Sequence, residues 1–99
     1  MFEVIQSETF AKWFGKLKDR QAAARINARI RRVSEYANFG DVKPVGEGVS
    51  EMRIDHGPGY RLYLMQRGAV RVVLLSGGDK RTQNEDIKRA LKLTRQWKD

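Results

Sequence analysis

Residues 70–76, VRVVLLS, form a nearly continuous apolar run in a chain of 99 residues. Side chains of a strand point alternately to its two faces, so a run without alternation indicates a strand that is covered on both of them. The segment TQNE, residues 82–85, follows and matches the capping-box pattern of a helix N-terminus. We therefore predict a buried strand, a tight loop from Gly77 to Arg81, and a helix that begins at Thr82.

The first half of the chain is predicted to be helical after a short strand at residues 2–5. One aromatic face recurs at helical spacing in Phe10, Trp13, Phe14 and Leu17. Ser7 is a suitable N-cap for this helix, and Asp19 is a suitable N-cap for a second one. The apolar stripe of the second helix consists of Ala23, Ile26, Ile30, Val33 and Ala37. These two amphipathic helices, joined at residues 18–19, are typical of an αα-hairpin.

The second half of the chain alternates with the period of a strand. In SEMRID, residues 50–55, and in YRLYLMQ, residues 60–66, every second side chain faces the same side. HGPG, residues 56–59, is a turn by composition. The segment at residues 38–48, with one proline and three glycines, is interpreted as a connection. The predicted fold is a single α+β domain over residues 1–99, in the order β-α-α-β-β-β-α, with an antiparallel-rich sheet and the helices on one face.

The net charge of the chain limits the possible functions more than the other features of its composition do. The chain has 20 Lys and Arg against 12 Asp and Glu, a formal charge of +8, which favours a polyanion or an acidic protein as partner. One histidine and no cysteine leave the usual zinc ligand sets unavailable, so we expect no metal and no cofactor. No stretch approaches the roughly 20 apolar residues of a membrane span, and we expect a cytoplasmic protein without a membrane partner.

Several cations are predicted to meet at one end of the sheet. Arg53 and Arg61 flank the HGPG turn on strands that should pair, and Lys80 and Arg81 precede a helix N-terminus, which attracts anions. Tyr63 shares the face of Arg61 and would offer a surface for base stacking. His56 lies in the turn itself. Each of these residues also has an ordinary structural explanation, as a surface cation, a packed ring or a turn residue.

Five arginines occupy the other faces of the second helix, and the sequence favours a solvated or partner-binding surface for them over a nucleic-acid contact. They are Arg20, Arg25, Arg29, Arg31 and Arg32.

Two segments carry a family resemblance that extends over nearly the whole chain: EMRIDHGPGYRLYL, residues 51–64, and VVLLSGGDKRTQNEDIKRA, residues 72–90. The chain resembles the RelE/ParE superfamily of bacterial toxins, and within it the phage-derived, HigB-like addiction module killer group. The resemblance implies a compact α+β fold with a twisted antiparallel sheet. It also implies a cognate antitoxin, often a small helix-turn-helix protein, with which the toxin can form a hetero-oligomer.

The resemblance implies one of two activities. Many members cleave mRNA on the ribosome and thereby inhibit translation, whereas ParE-like members inhibit DNA gyrase, and the fold alone does not decide between them. A third alternative, which the composition allows, is a basic module that binds RNA without cleaving it. For this chain a ribosome-dependent, metal-free mRNA endonuclease is the favoured prediction.

The roles of individual residues follow from the same resemblance. Arg61 and Arg81 are expected to bind the phosphate, Lys80 to assist charge stabilisation, and Arg53 to position the RNA. The Tyr or His that such enzymes often carry near the final helix is missing, since that region reads TQNEDI. His56 is therefore the predicted general acid or base, because an arginine, with a pKa above about 12, transfers protons poorly. The weaker alternatives for this role are Glu51 and Asp55.

Overall fold

The computed structural model describes residues 1–98, which form one five-stranded sheet, three α-helices and one 3-10 turn. In chain order the elements are β1 (Glu3–Gln6), α1 (Glu8–Gly15), α2 (Arg20–Tyr36), β2 (Val42–Gly46), β3 (Val49–Ile54), β4 (Tyr60–Arg67), β5 (Arg71–Asp79), the 3-10 turn (Lys80–Thr82) and α3 (Gln83–Gln96). The predicted α+β class is confirmed, with one strand more than the sequence predicts. No helix within residues 1–98 is both long enough and apolar enough to cross a membrane.

The additional strand is β2, which lies in the segment interpreted from sequence as a connection. The strand order is β1-β5-β4-β3-β2, so β2 forms one edge of the sheet, antiparallel to β3. Proline cannot donate a ladder hydrogen bond and is therefore confined to edges and irregular positions. The register shifts between Pro44 and Gly46, in agreement with this rule. The prediction that residues 38–48 form only a connection was wrong, because Pro and Gly weaken the sequence pattern of a strand but do not prevent an edge strand.

The first two helices begin where the sequence predicts. The Ser7 hydroxyl accepts a hydrogen bond from the backbone N–H of Phe10 at 3.0 Å, and the Asp19 carboxylate accepts one from that of Ala22 at 3.0 Å. Each side chain thus satisfies a donor that the first turn of a helix leaves without a partner. These caps fix the αα-hairpin on one face of the sheet.

The helices cover both faces of the sheet, and the prediction that they share one face was wrong. Helices α1 and α2 pack on the face that carries Leu62 and Leu64, whereas α3 packs on the face that carries Tyr63 and Met65. The central strands require this arrangement, because β5 is buried on both sides from residue 72 to residue 78. The helix α3 therefore lies over the same face as the cations of β3 and β4.

The glycine pair of the sequence belongs to the strand and not to a loop. Strand β5 continues through Gly77 and Gly78 to Asp79, which corrects the predicted loop from Gly77 to Arg81. A Cβ atom on Gly77 would overlap the indole ring of Trp13, and one on Gly78 would overlap the carboxylate of Asp86. The two glycines thus let α1 and α3 approach the strand closely from opposite faces.

The start of α3 also differs from the prediction. Thr82 makes no capping hydrogen bond, and its hydroxyl donates instead to the carboxylate of Asp86 at 2.6 Å. Asp79 caps the preceding 3-10 turn by accepting from the backbone N–H of Arg81 at 2.9 Å. The helix therefore begins one residue later than predicted, at Gln83, because the polar side chains at this end pair with one another.

We expect Gly77→Ala and Gly78→Ala each to lower stability by about 1–3 kcal/mol, the usual cost of overpacking a close contact. Gly15→Ala is the matched control, since nothing lies within 4 Å of a Cβ at that position. Alanine is favoured over glycine in a helix, so the control should be neutral or slightly stabilising. Thermal unfolding of the three variants measures the difference, and a melting temperature for Gly78→Ala equal to that of the control would contradict the close packing of α3.

Candidate functional site

Two arginines predicted to bind RNA line one cavity at the turn between β3 and β4. Arg53 and Arg61 lie opposite each other in the antiparallel pair, on the face that α3 covers. They border a cavity of about 230 Å³, to which Asp41, Asp55 and Gly59 also contribute. The strand pairing therefore places two guanidinium groups and two carboxylates around one opening.

Arg61 is held in a defined orientation at this cavity. Its side chain is only 11% exposed, and one terminal nitrogen donates to the carbonyl oxygen of Gly59 at 2.8 Å. The Nε atom lies 3.6 Å from the carboxylate of Glu51 and has no hydrogen-bond partner within residues 1–98. The second terminal nitrogen makes no hydrogen bond within residues 1–98, so this fixed guanidinium retains a donor for an anion.

Glu51 is fully buried beneath these cations and forms the centre of a polar network. One carboxylate oxygen accepts hydrogen bonds from the Tyr63 hydroxyl at 2.9 Å and from the Gln83 amide at 2.8 Å. The other oxygen lies 3.8 Å from the ammonium group of Lys43. A buried carboxylate is costly unless it is paired, so this network is a structural requirement of the site.

Tyr63 is part of the network and does not offer a stacking surface. Its side chain is fully buried, which corrects the prediction that its ring is available to a base. Burial raises the pKa of Tyr63 well above its usual range, and the negative charge of Glu51 raises it further. The phenol therefore stays protonated and donates its hydrogen bond to Glu51.

Arg53 is the more exposed of the two cavity arginines and is paired with Asp41 at 3.3 Å. Its own carbonyl oxygen accepts a hydrogen bond from Arg29 of α2 at 2.7 Å, and a second nitrogen of Arg29 donates to the carbonyl of Phe39. The predicted helix arginine Arg29 is thus a structural tie between α2 and the edge of the sheet.

Lys80 and Arg81 lie beside the cavity but differ in environment. The Cβ of Lys80 lies 3.9 Å from the position that a Cβ on Gly59 would occupy, next to Arg61. Arg81 is 80% exposed and makes a two-point contact with Asp79, at 2.8 and 3.2 Å. Hydrogen bonding from Arg81 lowers the pKa of Asp79 below its usual value. Lys80 has no ion pair with any residue in the described part of the chain and keeps its charge free.

His56 points away from the cavity toward the start of α2. Its imidazole is 17% exposed and lies 3.3 Å from the carboxylate of Asp19, the N-cap of that helix. The pKa of Asp19 is lowered mainly by the hydrogen bond from the Ala22 backbone and further by His56. Two exposed carboxylates line the cavity: Asp41, which is paired with Arg53, and Asp55, one of the weaker sequence candidates, which has no ion pair within residues 1–98.

The structure therefore brings Arg53 and Arg61 together at one cavity and places Lys80 next to it, in a neighbouring pocket with Arg81. It ties Arg81 to Asp79 and separates His56 and Tyr63 from the opening. Sequence reasoning gave Glu51 too little weight. Strand alternation already places it on the face of Arg53, and an acidic side chain on a face that a helix covers would have indicated a buried network.

Comparison with known proteins gives one close relative and a shared fold. No protein-family model matches the chain. An uncharacterized protein of Haemophilus influenzae is 55% identical over 82 residues, which are 83% of this chain and 82% of that protein. A chain of the E. coli RelBE toxin-antitoxin complex superposes with a TM-score of 0.68 at 20% identity, over 80% of this chain and 96% of that one. The isolated E. coli RelE toxin gives a TM-score of 0.67 at 20% identity, over 90% and 98% of the two chains.

These similarities confirm the fold that the sequence resemblance implies. They do so at an identity too low to transfer the chemistry of individual residues. The finer HigB-like placement stays a prediction.

Proposed function

We propose that this chain, which belongs to one family with the Haemophilus influenzae protein and has the fold of RelE, is the toxin of a type II toxin-antitoxin system. Its proposed activity is ribosome-dependent cleavage of mRNA in the cytoplasm, which inhibits translation. Its proposed partner is a small helix-turn-helix antitoxin that forms a hetero-oligomer with it. The solved RelBE toxin-antitoxin complex supports an antitoxin partner.

The observation that carries the proposal is the cavity between β3 and β4. Two arginines from paired strands face it, Lys80 lies beside it, and a buried carboxylate holds Arg61 from beneath. Guanidinium groups stay charged at all physiological pH values and bind phosphate oxygens at two points. Such an arrangement suits a phosphodiester better than a neutral ligand.

The proposed reaction forms a bond between the ribose 2′-oxygen and the adjacent phosphorus and breaks the bond from phosphorus to the 5′-oxygen. Arg61 and Lys80 stabilise the additional negative charge of the pentavalent transition state, and Arg53 positions the backbone. One proton leaves the 2′-hydroxyl and one must reach the 5′-oxygen. Asp55 is the carboxylate at the cavity that is open to accept the first proton, and His56, turned toward Asp19, is a more distant group for proton transfer.

Gyrase inhibition is the second candidate function, and one observation favours it. The helix α3 carries neither Tyr nor His, and Ile87 is packed into the core beneath it. The customary proton-transfer residue is therefore absent from the region in which the resemblance would place it. A non-catalytic RNA-binding module is the third candidate, for the same reason.

Mapping of mRNA 5′ ends after brief induction of the protein distinguishes these functions. We expect new 5′ ends inside reading frames, at positions that follow the codon register, together with arrested growth. Plasmid supercoiling is measured in the same cells as the control and should stay unchanged. Relaxed plasmids together with intact transcripts would contradict the nuclease activity and support gyrase inhibition. Intact transcripts together with normal supercoiling would contradict both and leave the RNA-binding module as the remaining candidate function.

A further inference from the structure

The surplus positive charge of the chain is concentrated away from the cavity. Residues 16–34, KLKDRQAAARINARIRRVS, hold seven of the 20 Lys and Arg and only one of the 12 Asp and Glu, a local surplus of six out of the total of +8. These residues form the end of the αα-hairpin turn and most of α2. A surface of this kind is a distinct feature that the cavity chemistry does not use.

Most arginines outside α2 have a carboxylate partner, whereas the outward arginines of α2 have none among residues 1–98. Six ion pairs join arginines of the sheet, the 3-10 turn or α3 to acids: Arg53–Asp41, Arg61–Glu51, Arg71–Glu3, Arg81–Asp79, Arg89–Asp86 and Arg95–Glu47. Helix α2 itself contains one acid, Glu35, which is exposed and has no ion pair with any residue in the described range 1–98, and its N-cap Asp19 contacts His56. Four α2 arginines are exposed and have no ion pair with any residue in the described range 1–98: Arg20, Arg25, Arg31 and Arg32.

Helical geometry arranges these four arginines in two rows. Arg25 and Arg32 are seven residues apart and Arg20 and Arg31 are eleven apart, so each pair shares one side of the helix. At a rise of about 1.5 Å per residue, the rows extend for roughly 10 and 16 Å. Between them lie the exposed Ala24, Ala28 and Glu35, opposite the buried side of the helix. The outward face is thus a low ridge flanked by guanidinium groups on both sides.

We propose that this outward face of α2 binds the phosphate backbone of RNA, as a second contact surface separate from the cavity. Cation rows along a rigid helix match regularly spaced phosphates and release their counterions on binding. A protein partner would instead require large apolar anchors at the centre of the interface. The ridge offers no large apolar side chain there, and the exposed Tyr36 lies at its margin, beside the row of Arg25 and Arg32. The inference stands whether or not the chain cleaves RNA.

The test compares two double variants that remove the same charge. Arg25→Gln with Arg32→Gln removes one row. Lys88→Gln with Lys92→Gln is the control, on exposed positions of α3 that have no ion pair within residues 1–98. Binding of a short 2′-O-methyl RNA duplex, which cannot undergo 2′-hydroxyl cleavage, is followed by fluorescence anisotropy over a range of salt concentrations. The α2 variant should bind at least tenfold more weakly, with the slope of log K against log salt reduced by about 1.4–1.8 for two lost phosphate contacts.

Three results would overturn the inference. An equal loss of RNA affinity in the α3 control would mean that the effect depends only on the net charge of the protein. Unchanged RNA affinity of the α2 variant would mean that this face does not contact RNA. If the protein bound an acidic peptide more tightly than RNA, and this binding were lost in the α2 variant, the face would be a protein-docking surface. Circular dichroism verifies that each variant is folded, and Arg20→Gln with Arg31→Gln tests the second row independently. Loss of cleavage by cavity variants that still bind the duplex would separate this surface from the proposed activity.

Discussion

Arg61→Gln should reduce mRNA cleavage by about 100- to 1,000-fold while the protein stays folded, the usual cost of losing one preorganised donor to a transition state. Arg61 is the least exposed of the cavity cations, and contacts from Gly59 and Glu51 fix its direction. A fixed donor needs no reorganisation when charge develops on the phosphate, so its contribution is larger than that of a mobile surface cation. Cleavage is measured by primer extension on a translated message.

Two further variants make this result specific. Arg61→Lys keeps the positive charge but loses the two-point geometry, and it should recover only part of the activity. Arg71→Gln is the matched control, because Arg71 also lies on the sheet, is paired with Glu3, and does not line the cavity. Full cleavage by folded Arg61→Gln, or an equal loss in Arg71→Gln, would contradict the proposed phosphate-binding role.

The electrostatics of the two basic regions differ in kind. At the cavity, Arg53, Arg61 and Arg81 each lie within 4 Å of a carboxylate, so the local charge is nearly balanced. A balanced site orients a phosphate at short range but attracts it weakly from a distance. The unpaired arginines of α2 produce the longer-range field that increases the rate of encounter with a polyanion. If both proposals hold, the α2 arginines supply the long-range attraction of RNA, and the cavity on the sheet supplies the short-range orientation of a phosphate.

The features of the fold that depend on local chemistry could be predicted from the sequence. Ser7 and Asp19 cap the two helices as expected, because a cap needs only its own first turn. The alternation in β3 and β4 assigned Glu51, Arg53, Arg61 and Tyr63 to one face, as observed. These features involve neighbours in sequence, or one strand and its direct partner.

Features that depend on distant contacts could not be predicted. His56 turns toward the cap of a helix that begins 36 residues earlier, and nothing in HGPG encodes that direction. Gly77 and Gly78 resemble a turn because their packing partners, Trp13 and Asp86, lie on other elements. The covering of the Tyr63 face by α3 has the same origin. An amphipathic helix pattern shows which side of the helix is apolar but does not assign that side to one face of the sheet.

Glu51→Ala should be the most destabilising substitution at the site, by about 3–5 kcal/mol, because it leaves a buried guanidinium without its counter-charge. It also removes the acceptor of the Tyr63 hydroxyl and of the Gln83 amide. For a domain of this size we expect the melting temperature to fall by about 12 °C or more. Glu35→Ala is the control, an exposed position on α2 where the change should stay within about 0.5 kcal/mol. A melting temperature for Glu51→Ala close to that of the control would show that the network contributes little.

A double-mutant cycle tests whether Glu51 acts on Arg61 directly. Glu51→Gln leaves the guanidinium unbalanced, and Arg61→Gln leaves the carboxylate closer to unpaired, so each single change carries a penalty of its own. The double variant removes both charges together and should be more stable than the sum of the single changes predicts, by about 0.5–3 kcal/mol for residues in contact. The free energy of unfolding in urea is measured for the unchanged protein, the two single variants and the double variant. Additivity within about 0.5 kcal/mol would mean that the 3.6 Å approach of the two groups is not an energetic interaction, and that Gly59 alone orients Arg61.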